Sequence, residues 1–326
     1  MSRKMIWKIV LAGIAFLLVA VIVYSGLQIL ESTVFFTEEE EGPVASKTIE
    51  RNGVKYFPRQ DITVMMIVGI EHEGKIEEMD PKVGSMADMI MLLVFDEKDQ
   101  SYTVLNLNRD TMTEIPQLNA IRGIQNGNFF GQLTYAYNYG TGREDSCESI
   151  KQTVSNLLGG IYIDHYLTMS LSAIEIMNDA VGGVTVRVED DFSDLDSSIK
   201  MGEMTLMGRQ ARNFVQGRMI VGDGLNTSRM RRQQEYFSGF AKALKEKMEK
   251  DDTFIIKAYE KVSGYIVTDC SVNVLTSLAE RYGDYTHRET VTPEGENKMG
   301  ERYMEFHVDE EALDELVLRL FYAPKE

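Results

Sequence analysis

Residues 9–30 of this 326-residue chain contain no charged side chain, and nothing else in the sequence limits its fold as strongly. At about 1.5 Å of helical rise per residue the run covers roughly 33 Å, enough to cross the hydrocarbon of a bilayer. A cleaved leader would carry an apolar stretch of about 7–15 residues ending in small side chains. Val23-Tyr24-Ser25-Gly26-Leu27 offers no such ending, so the spacing predicts a transmembrane helix over 9–30. Arg3, Lys4 and Lys8 precede the run, and Glu38, Glu39, Glu40 and Glu41 follow it. Positive charge stays inside, which predicts a cytoplasmic tail over 1–8 and a single-pass protein of the cell membrane with its carboxyl-terminal part outside. Residues 31–61 are polar and carry Pro43 and Pro58, and read as an extracytoplasmic stalk before a domain at 62–326.

That outer part holds 31 basic against 51 acidic residues, a balance unsuited to nucleic-acid backbones. Cys147 and Cys270 are the only cysteines, too few for a disulfide framework or a cysteine-rich zinc site, and the sequence does not say whether they meet. No HExxH, GxSxG, GxGxxG or GxxxxGK[ST] occurs, which removes the usual signatures of zincins, α/β-hydrolases, dinucleotide binders and P-loop enzymes. Apolar, β-branched-rich runs at 62–70, 89–95 and 102–108 read as strands. Stretches 145–158 and 171–180 have helical spacing, and further strands are expected at 161–169 and 184–188. The alternation predicts an α/β sandwich.

Within this acidic chain residues 209–232 carry six arginines and one acid, Asp223. A helix is expected to open at Asn226-Thr227-Ser228, and at about 100° per residue Arg229, Arg232, Gln233 and Tyr236 share a face while Arg231 points away. Guanidinium forks at a helix start suit phosphate oxygens. The competing reading pairs the arginines with Glu189, Asp190, Asp191, Asp194 and Asp196; it is preferred for Arg209, Arg212 and Arg231. Arg218 lies in a glycine-bearing loop, a common place for binding side chains. Glu71 and Asp88 flank apolar strands, where α/β sheets place their sites, and two such carboxylates facing a phosphate can share Mg²⁺. Arg109 leaves a strand beside Asp110, so an ion pair between them is the default expectation.

These pieces, in order, resemble the LytR–CpsA–Psr proteins of Gram-positive bacterial envelopes. The resemblance rests on Gly69-Ile70-Glu71, on Met86-Ala87-Asp88-Met89-Ile90-Met91-Leu92 and on Asn108-Arg109-Asp110-Thr111. It continues through Ala136-Tyr137-Asn138-Tyr139-Gly140, Asn178-Asp179-Ala180-Val181-Gly182-Gly183-Val184, Gly208-Arg209-Gln210-Ala211, Ser228-Arg229-Met230-Arg231-Arg232-Gln233-Gln234 and Thr268-Asp269. Glu73, Met86 and Gln216 stand where the family usually has arginine. The resemblance implies a three-layer sandwich with a central mixed β-sheet flanked by helices. It further implies a phosphotransferase that moves a glycopolymer from a polyprenyl-pyrophosphate carrier to peptidoglycan. Arg109, Arg218, Arg229, Arg232 and Gln233 would hold the pyrophosphate, and Glu71 and Asp88 would hold Mg²⁺. Asp88, Arg109 and Arg229 would serve catalysis, and an apolar channel would take the lipid. A membrane-anchored homologue that binds the carrier or regulates envelope assembly without turnover is the alternative.

Overall fold

The computed structural model describes residues 48–80, 84–118, 125–140, 142–248, 250–251, 254–271, 274, 277–278 and 281–324. The expected membrane span, and the expected stalk as far as residue 47, lie outside them. No helix among the described residues is long and apolar enough to cross a membrane.

The chain opens with β1 (Ile49–Arg51) and β2 (Val54–Pro58), then runs through β3 (Ile62–Ile70), β4 (Ala87–Asp96) and β5 (Ser101–Leu107). A hairpin of β6 (Met112–Leu118) and β7 (Gln125–Gln132) leads to helix α1 (Glu144–Leu157), strand β8 (His165–Ser170) and helix α2 (Leu171–Val181). Next come β9 (Val184–Val188), β10 (Gly202–Leu206), α3 (Arg209–Gln216), α4 (Asn226–Met248), α5 (Phe254–Val262) and β11 (Ile266–Thr268). β12 (Thr286–Val291), β13 (Gly295–Met299), β14 (Met304–Val308), α6 (Glu310–Phe321) and β15 (Tyr322–Pro324) complete it.

Six strands form the central sheet in the order β11-β8-β3-β4-β5-β12. β3 runs antiparallel to β4 and parallel to β8, and β5 runs antiparallel to β4 and parallel to β12, so the sheet is mixed. The inner strands β3 and β4 read as nearly unbroken apolar runs because both of their faces are covered, whereas the edge strand β12 is polar and largely exposed. Val64, Met66, Val68 and Ile70 pack with Ile150 and Val154 of α1 and Val317 of α6. The alternate residues Met65 and Ile67 pack with Ala173 and Met177 of α2, Phe214 of α3, Phe240 and Leu244 of α4 and Ala258 of α5. Three layers result, as expected.

Two expectations are corrected. The segment read as stalk up to residue 61 contains β1 and β2, which pair with each other and, through β2, with β15, while Ile49 and Tyr56 pack on the core. The folded domain therefore extends back at least to residue 49, because two apolar side chains anchor an otherwise polar stretch. The strand at 184–188 forms but leaves the central sheet and pairs antiparallel with β10. α4 rests directly on β9: a Cβ at Gly239 would lie 2.4 Å from the Thr185 carbonyl oxygen. Cys147 and Cys270 are both free and belong to cores on opposite faces of the sheet, so they do not meet.

Candidate anion site and apolar slot

The carboxyl ends of β3 and β5, the start of β4 and the start of α4 converge at one end of the sheet. A register shift there pairs Gly69 with Met89 but Ile70 with Ala87, leaving Asp88 as the extra residue on β4. Such a bulge re-aims a side chain. Arg109, just past β5, donates through Nη1 to Asp88 Oδ1, while Arg229 Nη1 lies 3.3 Å from Asp88 Oδ2. Arg218 grips Asp110, with Nη1 at 3.2 Å from Oδ1 and Nη2 on Oδ2. Arg109 Nε stands 3.6 Å from Asp110 Oδ1, so the expected neighbouring pair exists, but Asp88 is the closer partner.

Polar side chains brace this cluster. Gln132 Nε2 donates to Asp110 Oδ1 at 3.2 Å and to the Met304 carbonyl at 2.7 Å. Asn226 accepts from Arg229 Nε at 2.9 Å and donates to Asn108 Oδ1 at 2.7 Å, tying α4 to the loop that carries Arg109. Asp110 is 1% exposed, Arg229 2%, Asp88 8% and Arg109 9%.

Burial, and for each the neighbouring guanidinium, pushes Arg109 and Arg229 down to about 10. Three guanidinium groups face two buried carboxylates, and among the described residues the Nε–H groups of Arg109 and Arg218 have no hydrogen-bond acceptor. The cluster thus keeps guanidinium donors that its two buried carboxylates do not use, an arrangement suited to an anion.

Glu71 is exposed at the end of β3, close enough for its charge to act on Arg109 and Arg229. Its carboxylate and that of Asp88 are hard oxygen donors of the kind Mg²⁺ takes. Each Asp88 oxygen already faces a guanidinium, however, so without phosphate oxygens to occupy those arginines the pair does not fit the ion.

Beside Asp88 opens a slot of about 50 Å³ between β3, β4, α2 and α4, lined by Met89, Met169, Leu171, Ile174, Met177, Phe237 and Phe240, with Gln216 and Gln233 among its few polar walls. Tyr236 Oη, donating to Asn178 Oδ1 at 3.2 Å, ties α4 to α2 across it.

Arg232 does not join Arg229. It donates through Nη1 to Asp190 Oδ2 at 2.6 Å, through Nε to the Phe214 carbonyl at 3.3 Å and through Nη2 to the Gly217 carbonyl, so the pairing first weighed against phosphate binding is the one it adopts. Gln233 Nε2 donates to the Val215 carbonyl at 3.2 Å and lines the slot instead of facing the arginines. Exposed Arg231 pairs with Glu189 and Asp190 as expected. Arg212 departs from expectation: it is buried and bridges Glu73 and Glu175, with Gln216 accepting from its Nε at 3.2 Å. Asp110, Asn108, Asn226 and Gln132 were not singled out as site residues. The sequence places Asn108 and Asp110 beside Arg109 and Asn226 at the helix start, but not their contacts with one another.

The LytR_cpsA_psr family matches residues 32–321. Among curated proteins, the chain is 25% identical over 219 residues to the polyisoprenyl-teichoic acid–peptidoglycan teichoic acid transferase TagU of Enterococcus faecalis, covering 66% of this chain and 61% of that one. It is 28% identical over 218 residues to the transferase of the same description, TagV, of Bacillus subtilis, covering 63% and 50%. The chain thus spans roughly half to three fifths of these relatives. Among solved structures, B. subtilis TagV superposes with a TM-score of 0.60 at 22% identity over 80% of this chain and 96% of that one. A Streptococcus agalactiae protein superposes at 0.65 and 18% identity, over 80% and 86%. The fold is theirs.

Proposed function

The chain belongs to the LytR_cpsA_psr family, and from that premise we propose that it is an extracytoplasmic phosphotransferase moving a glycopolymer from a polyprenyl-pyrophosphate carrier onto a peptidoglycan hydroxyl. The observation that carries this reading is the anion-deficient cluster of Arg109, Arg218 and Arg229 at the mouth of an apolar slot, a polar head site joined to an apolar tail site. The three guanidinium groups hold the pyrophosphate, and the slot takes the first isoprene units. Arg232 serves the frame of α4, outside the proposed phosphate contacts.

In the proposed reaction the acceptor hydroxyl attacks the phosphorus next to the glycan. The bond from that phosphorus to the bridging oxygen breaks, and polyprenyl phosphate leaves. Fixed cations neutralise the charge that develops on the leaving phosphate. The pyrophosphate offers Arg109 and Arg229 new acceptors, which frees Asp88 to take the hydroxyl proton. The uncharged run at 9–30 and its basic flank support an outward-facing domain beside the lipid carrier.

One observation favours a second reading, a homologue that binds the carrier without turnover: each Asp88 oxygen is engaged by a guanidinium. Full-length protein supplied with polyprenyl-pyrophosphate-linked glycan and peptidoglycan fragments separates the two. Release of polyprenyl phosphate establishes the transferase, carrier binding without release establishes the second reading, and absence of binding removes both.

A further inference from the structure

At the far end of β8 from the arginine cluster, roughly 17 Å away along the strand, three side chains of different metal-ligand types meet. His165 opens β8, and Asp269 and Cys270 follow β11. The antiparallel ladder joining Leu167 to Thr268 fixes their juxtaposition. His165 Nδ1 lies 3.8 Å and Cys270 Sγ 3.6 Å from Asp269 Oδ1, and all three ligand atoms lie within 4.8 Å of one another. Tetrahedral zinc with bonds of about 2.0–2.3 Å separates its ligand atoms by roughly 3.3–3.6 Å, so the two pairs that share Asp269 already stand near ligand spacing, and the His165–Cys270 pair, within 4.8 Å, closes by at most about 1.3 Å through side-chain rotation. Asp269 is oriented by the Tyr166 N–H, which donates to Oδ1 at 2.9 Å, and Cys270 by its own N–H, which donates to Thr268 Oγ1 at 3.2 Å.

We propose that His165, Asp269 and Cys270 form a binding site for a thiophilic divalent cation of the Zn²⁺ type, with a fourth position open to water. Lys151 Nζ stands 3.9 Å from Asp269 Oδ2 and Glu148 Oε2 3.9 Å from Lys151, so the two flanking charges offset each other. With a neutral imidazole and a protonated thiol, the ligands carry one negative charge. Binding forms a metal–sulfur bond and releases the thiol proton to solvent, and the thiolate and Asp269 together balance the dication.

The test uses full-length protein stripped with chelator and then given Co²⁺. About one Co²⁺ per chain is expected, with a near-ultraviolet sulfur-to-metal charge-transfer band that Zn²⁺ abolishes by displacement. Cys147→Ser should keep the band, whereas Cys270→Ser and His165→Ala should lose it. Absence of the band from the unaltered protein, or its persistence in Cys270→Ser, overturns the site.

Discussion

Arg218 and Asp110 face each other fork to fork, with Nη1 3.2 Å from Oδ1 and Nη2 on Oδ2, and the carboxylate is almost wholly buried. Asp110 thereby stands as a built-in anion in a cluster that otherwise seeks one. Asp110→Asn keeps the shape and removes one negative charge. Without ligand the variant should lose about 3 kcal/mol, since half of a buried pair remains. Added inorganic pyrophosphate should raise its melting temperature more than it raises that of the unaltered protein, because the cluster is one charge more positive. Equal increments would show that Arg218 does not face the anion.

Arg229 and Arg232 are one helical turn apart yet engage different carboxylates, Asp88 and Asp190. Arg229→Ala should weaken polyprenyl-pyrophosphate binding by about 1.5–3 kcal/mol, the range for charge-assisted hydrogen bonds. Arg232→Ala removes the donor to two carbonyls and the closer of the two guanidinium partners of Asp190 among the described residues, leaving it only exposed Arg231, and should lower stability by about 1–3 kcal/mol. Exposed Arg231→Ala should change either quantity by less than about 0.5 kcal/mol. Calorimetric affinities and melting curves on the three variants decide this. Loss of affinity in Arg232→Ala at an unchanged melting temperature would return that residue to the phosphate site.

What the sequence revealed and what it hid follow from range. Strands β3 and β4 were legible because burial on both faces leaves nearly uninterrupted apolar runs, β5 because apolar, β-branched and aromatic residues dominate it, and α2 because Gly182 ends it in the left-handed conformation, at φ +89°. β1 and β2, which pair locally across Asn52-Gly53, were missed because their own composition is polar and because the second partner of β2, β15, lies more than 260 residues away. Helical periodicity put Arg229 and Arg232 on one face correctly, but it carries no information about Asp190, which reaches Arg232 from the loop after β9. Arg212 was misassigned for the same reason: Glu73 and Glu175 approach it from distant segments.

Because Arg109 and Arg229 occupy both oxygens of Asp88, Mg²⁺ and phosphate should bind together. Mg²⁺ alone should leave the melting temperature unchanged, whereas Mg²⁺ with inorganic pyrophosphate should raise it beyond pyrophosphate alone. Glu71→Gln should remove that extra increment. Stabilisation by Mg²⁺ alone, lost in Glu71→Gln, would mean that the carboxylates hold the ion without help.

Acid stability should depend on Arg59, whose Nε and Nη2 donate to Asp61 at 2.9 and 2.8 Å and whose Nη1 donates to Asp96 at 3.0 Å. The Arg59 hydrogen bonds hold Asp61 below the usual carboxylate value. At Asp96 burial pushes upward, but Arg59 and the Asp99 N–H outweigh it, so the net direction is again down. Depressed folded-state values mean that this stabilisation is fully present above the ordinary carboxylate value near 3.9 and is lost as pH falls through the lower folded values. Asp96→Asn should flatten the melting-temperature profile below about pH 4 relative to the unaltered chain. An unchanged slope would mean that other carboxylates govern acid unfolding.

The slot beside Asp88 is too small for a polyprenyl tail as it stands, at about 50 Å³, so occupation requires α2 and α4 to part at Ile174, Met177 and Phe237. Methionines at 89, 169 and 177 suit such repacking, since unbranched thioethers change rotamer readily. Ile174→Trp fills the opening from the α2 side without touching an arginine. It should weaken a long-chain polyprenyl pyrophosphate about tenfold, because excluding two methylene-sized groups forfeits roughly 1.6 kcal/mol of burial. Inorganic pyrophosphate, which has no tail, should bind as before. Paired titrations of the two ligands distinguish the outcomes. If both weaken equally, the substitution has disturbed the anion site; if neither weakens, the tail lies elsewhere and the head-and-tail arrangement proposed for this end of the sheet is wrong.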